Sequence, residues 1–111
     1  MSKKVKEINI KVELDVDNLP ESIKWRASDS INKELSEAKC MMLSFWDKNE
    51  SNTLKIDLWI KDMPVDEMHT HYLQTLMSLT ESYFRATGNN FIRDKMLNFC
   101  QEVAQDLREQ S

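Results

Sequence analysis

The sequence predicts an α+β domain: a four-stranded antiparallel sheet made of two hairpins, followed by a C-terminal helical hairpin, in the order ββββαα. Three observations carry this prediction. Polar and apolar residues alternate through most of the chain before residue 62, the two-residue period of strands wetted on one face. From Pro64 onward the apolar spacing changes to three and four residues, the period of a helix. Gly88, the one glycine in the chain, falls between two such helical stretches, where a left-handed cap ends a helix.

The first strand spans Val5 to Val16, with Ile8, Ile10, Val12, Leu14 and Val16 on one face and Glu7, Asn9, Lys11, Glu13 and Asp15 on the other. Asp17-Asn18-Leu19-Pro20 supplies turn chemistry, and Ile23, Trp25 and Ala27 alternate with Ser22, Lys24, Arg26 and Ser28 in a second strand. Charge suggests the register: Val16 opposite Ile23 and Leu14 opposite Trp25 would set Asp15 against Lys24 and Glu13 against Arg26. Residues 29–37 are polar without a clear period and read as a loop with room for one helical turn. The run from Ala38 to Trp46 is the most apolar, with Cys40, Met42 and Trp46 on one face and Met41, Leu43 and Phe45 on the other. Asp47 to Asn52 is turn-rich and leads into a fourth strand, where Leu54, Ile56, Leu58 and Ile60 alternate with Lys55, Asp57, Trp59 and Lys61.

Asp62-Met63-Pro64 ends that strand. Proline suits a first helical turn, and Asp66 and Glu67 place negative charge at the positive end of the helix dipole. Val65, Met68, Tyr72, Leu76, Leu79 and Tyr83 form one stripe to Thr87, widened by Leu73, Met77 and Phe84. A second helix runs from about Phe91 to Arg108 with Ile92, Met96, Phe99, Cys100, Val103 and Leu107 inward. The short connection at Gly88 implies an antiparallel helix pair.

At 111 residues the chain is sized for a single domain, residues 1–111. A net charge of −4 lacks the footprint of a general nucleic-acid binder. The run Lys3, Lys4, Lys6 is too short to supply one and reads as a solvated terminus. No apolar stretch is long enough to span a membrane or to serve as a signal-peptide core, so a cytoplasmic location with no direct membrane insertion is expected. Cys40 and Cys100 share no metal-ligand spacing and read as buried thiols. A single glycine excludes glycine-rich phosphate cradles.

Chemistry is sparse. His69 and His71 are two apart, about 200° around a helix, so they cannot share a metal ion as an i, i+4 pair would. His69 falls on the stripe edge near Val65 and Leu73, and His71 on the solvated side. Ser44 and Ser78 have no visible base. No catalytic, cofactor or metal residue is assigned. The residues expected to meet a protein partner are Trp59, Trp46, Phe45, Met41 and Leu43, because the apolar run is apolar on both faces and only one can face a core; Trp25 reads as core.

The stretches EAKCMMLSFWD (37–47), LKIDLWIKDMPVDEM (54–68), QTL (74–76) and RATGN (85–89), with ELDVDNLPESIKW at the start, resemble the GldC family of gliding-motility-associated proteins. The resemblance implies a small, soluble, cytoplasmic protein of gliding Bacteroidota, linked to an envelope-spanning machinery tied to secretion, with no established catalytic residues to carry over. It leads to a non-enzymatic accessory protein that self-associates as a homo-oligomer and docks protein partners of the gliding and secretion machinery. The alternative is a SecB-like holding chaperone or adaptor for secretion, on likeness of layout alone. A small enzyme with a base at Asp66, Glu67 or His69 is the third reading.

Overall fold

The computed structural model describes residues 3–29 and 34–110; residues 30–33 of the expected 29–37 loop, and the terminal Ser111, lie outside the described residues. The chain forms two compact units, Met1–Met63 and Pro64–Ser111.

The first unit contains β1 (Ile8–Leu14), β2 (Pro20–Ala27), β3 (Ser36–Ala38), β4 (Cys40–Asp47) and β5 (Asn52–Trp59). They form a three-stranded sheet in the order β1-β2-β3 and a two-stranded sheet of β4 and β5, in place of the single four-stranded sheet expected. The chain changes partner at Lys39. Residues Ser36–Ala38 pair with β2, and from Cys40 onward the chain pairs with β5. Ser36-Glu37-Ala38 is too short and too polar to show a period, which hid this strand in the expected loop. At the corner, the Ile60 amide donates to the Lys39 carbonyl at 2.8 Å and the Lys61 amide to the Pro20 carbonyl at 3.0 Å. A strand that switches sheets at a bend makes corners of this kind.

The β1–β2 register also differs from the charge-based expectation. Val12, not Val16, faces Ile23, and Ile10, not Leu14, faces Trp25, a shift of four residues. The turn decides this. Asp15 ends the strand, and its carboxylate accepts from the amides of Asp17 (2.8 Å) and Leu19 (3.1 Å), while Asn18 takes the left-handed conformation at φ 64°. An even shift leaves every side chain on its original face, so the two apolar sets still coincide. Lys11 now lies opposite Lys24, and Lys24 turns its ammonium to Glu13 at 3.8 Å.

Ile23, on the central strand β2, is 1% exposed and lies between Val12 and Ala38. Trp25, expected in the core, is exposed. Among the described residues only Ile23 and Cys100 are buried apolar side chains.

The second unit is α1 (Val65–Thr87) and α2 (Asn90–Gln110). Pro64 caps α1 in extended conformation, and Asp66 and Glu67 occupy its first turn. Gly88, at φ 68°, closes α1 by donating its amide to the Phe84 carbonyl at 2.8 Å. Asn89 then starts α2 by accepting from the Ile92 amide at 3.1 Å. Thr80 and Cys100 are buried between the helices, 3.8 Å apart, with the Thr80 hydroxyl donating to the Leu76 carbonyl at 2.9 Å. Two small side chains at this point allow the helices to approach closely.

Candidate protein-docking surface

The β4–β5 hairpin carries all five residues expected to meet a partner. Its turn repeats the chemistry of the first: the Asp47 carboxylate accepts from the amides of Asn49 (3.1 Å) and Glu50 (2.7 Å), and Asp47 faces Asn52. That fixes the register, and the register fixes the faces. Met41 lies opposite Leu58, Leu43 opposite Ile56 and Phe45 opposite Leu54, so one face is six apolar side chains. Phe45 is 56% exposed on it, and Leu54 and Ile56 are exposed as well, although strand alternation alone marked them for a core.

The other face is mixed. Cys40 faces Trp59, Met42 faces Asp57, Ser44 faces Lys55 and Trp46 faces Thr53. Trp46 is 70% exposed at the turn end, and Trp59 is exposed at the corner end. The five expected residues are therefore divided: Met41, Leu43 and Phe45 project from one face, Trp46 and Trp59 from the other. Leu54, Ile56 and Leu58 complete the apolar face. Their signal was the alternation of β5 itself, which becomes informative only once the turn at Asp47 sets the register.

Trp59 borders a groove of about 220 Å³ with Leu19, Pro20, Asp57, Leu58 and Lys61. Charge is paired around it. The Lys61 ammonium lies 3.0 Å from Asp15 and 3.7 Å from Glu21, and Lys55 lies 3.3 Å from Asp57. The Leu19 amide and then the Lys61 ammonium hold the Asp15 carboxyl below its ordinary range, and Asp15 in turn raises Lys61. Burial, and next the nearby Asp57 carboxylate, push the Cys40 thiol up, which disfavours the nucleophilic thiolate. Cys40 and Cys100 are both free; Cys100 is buried, and Cys40 only half-buried.

His69 is exposed, whereas His71 is half-buried and stands edge-on to the Tyr72 ring, the reverse of the expected placement. Among the described residues, no group of three or more His, Cys, Asp or Glu side chains is placed to hold a metal ion, and no helix is long and apolar enough to cross a membrane.

The family model for gliding motility-associated protein GldC-like matches residues 20–109. The chain belongs to the GldC-like family. Membership associates it with gliding motility. Comparison with curated proteins and with solved structures gives no significant match. In this GldC-like chain the matched span begins at the first residue of β2 and reaches the last turn of α2. Within the matched span, residues 57–67 contain Trp59 at the groove, Lys61 in the ion-pair cluster, and Pro64, Asp66 and Glu67 at the start of α1.

Proposed function

We propose that the chain is a cytoplasmic, non-enzymatic accessory protein of bacterial gliding that self-associates and docks a protein of the gliding and secretion machinery through the β4–β5 hairpin. One observation carries the docking role: Met41, Leu43, Phe45, Leu54, Ile56 and Leu58 form a contiguous apolar face with Phe45 more than half exposed. Apolar patches of this kind on a small chain mark sites of contact with other proteins. Trp46 and Trp59 add aromatic anchors on the opposite face, the residue type that dominates binding energy at interfaces.

The test is affinity purification of the tagged chain from gliding cells, beside Phe45→Glu and Trp59→Glu. Both positions are exposed, so the variants keep the fold, verified by circular dichroism. Envelope-machinery proteins recovered with the parent and depleted about tenfold with either variant support the reading, a loss of about 1.4 kcal/mol. Equal recovery with parent and both variants refutes docking through this hairpin.

A further inference from the structure

The helical unit has an apolar groove of its own. Leu76, Leu79, Ile92, Met96 and Phe99 line about 320 Å³ on one face of the α1–α2 pair, with Lys95 at its rim. Leu79 is 54% and Phe99 56% exposed. Residues Val65, Tyr72 and Leu79 recur every seven positions, so they extend the same open stripe along α1, and all three are exposed. Two antiparallel helices bury only the sides they turn to each other, whereas four can enclose a core.

We infer that a second copy of this chain covers this groove, pairing two helical hairpins into a four-helix arrangement about a two-fold axis near Phe99. The inference rests on the self-association part of the proposed function and places it on the helices. Area supports it. Two separately compact units of these lengths would expose about 7,700 Å² together, whereas the chain exposes 9507 Å². The excess is roughly 1,800 Å² per copy, more than the roughly 600 Å² per copy at which stable interfaces begin.

Charge supplies the second argument. Glu102 follows Lys95 by seven residues, two helical turns, and so lies on the same edge of α2. In an antiparallel pair of α2 helices centred between Asn98 and Phe99, Lys95 of each copy meets Glu102 of the other. The surface is therefore self-complementary, as an isologous interface must be. Phe99, near the axis, meets its own copy.

Sedimentation velocity of the full chain tests this. The parent sediments as a dimer of the 13.1 kDa chain. Phe99→Glu weakens dimerisation by about 100-fold, and Phe45→Glu leaves it unchanged. Lys95→Glu and Glu102→Lys each weaken it by about tenfold, because each places two like-charge pairs at the interface, and the double variant restores the parent affinity. These are exposed positions, so circular dichroism of all variants matches the parent. A monomeric parent overturns both the inference and the self-association reading. A dimer that survives Phe99→Glu and is lost with Phe45→Glu or Trp59→Glu overturns the inference alone, and so does a double charge variant no tighter than its singles.

Discussion

Replacing Ile23 by alanine tests whether the first unit has the core assigned to it. Ile23 is 1% exposed on the central strand, flanked by Val12 and Ala38. The change removes three carbons, and at about 0.8 kcal/mol each the transfer cost is about 2.4 kcal/mol. The cavity contribution is small, because Ile23 already lines a groove of about 330 Å³ with Ser22, Ala38 and Ile60, into which water and neighbouring side chains can move. The total is therefore about 2.5 to 3 kcal/mol, in the lower part of the range for buried Ile→Ala changes. Urea unfolding read by circular dichroism measures it; with a slope of about 1.5 kcal/mol per molar, the midpoint falls by roughly 2 M. The exposed Ile8, replaced in the same way, moves stability by less than about 0.5 kcal/mol. A loss below about 1 kcal/mol for Ile23→Ala, or equal losses at the two positions, refutes the assignment of Ile23 as the centre of the three-stranded sheet.

Gly88→Ala destabilises by about 1 to 2 kcal/mol, since φ is 68° and the cost is that of the left-handed backbone; no atom beyond its chain neighbours lies within 4 Å of the added methyl. Gly88→Asn costs less, and equal thermal midpoints for parent and Ala variant refute the cap. Lys61→Met lowers stability at pH 7 by removing the partner of Asp15. Asp15 is held below the ordinary carboxylate range, so its contribution is full above about pH 4 and is lost as pH falls further; the gap between parent and variant in urea therefore narrows in acid. The raised Lys61 keeps the gap open until it deprotonates at high pH, so a gap unchanged from pH 7 into strong acid refutes the role of the pair.

The helices were legible because their signals are long and redundant. Each carries an apolar period over several turns, and Gly88 with Asn89 punctuates them, so the expected ends fall within about two residues of those observed. The strands were legible as alternation and the two hairpins β1–β2 and β4–β5 with them, but the register of the first and the division into two sheets were not. Cross-strand charge pairs contribute about 0.2 to 1 kcal/mol each, and they yielded to the turn at Asp15, whose carboxylate gathers two backbone amides. The sequence contained that signal in Asp15 and Asn18, but strand alternation ran on through Val16 and masked the turn. Ser36–Ala38 has no pattern at all and is a strand only because β2 presents an edge to it. For the candidate surface, alternation separated the two faces of β5 correctly. It marked Leu54 and Ile56 for burial, because a period reports that a face is apolar, not that this chain covers it.

On the proposed reading, the stretch around Trp59 divides its work between contact and architecture. Asp57, Trp59 and Lys61 all border one groove, yet their surroundings differ. Lys61 is held by its side chain to Asp15 and Glu21 and by its amide to Pro20, three links, with the Met63 amide donating to the Ile60 carbonyl beside them. Trp59 is exposed, a large apolar side chain facing only Cys40 across the ladder. A side chain kept for packing would gain from burial of its rings, whereas one kept for recognition stays open until a partner arrives. Lys61 is thus an architectural residue of the first unit, and on the proposed reading Trp59, two residues away, is the contact residue. On that reading, the links that hold Lys61 lower the ordering cost of binding at the aromatic anchor beside it.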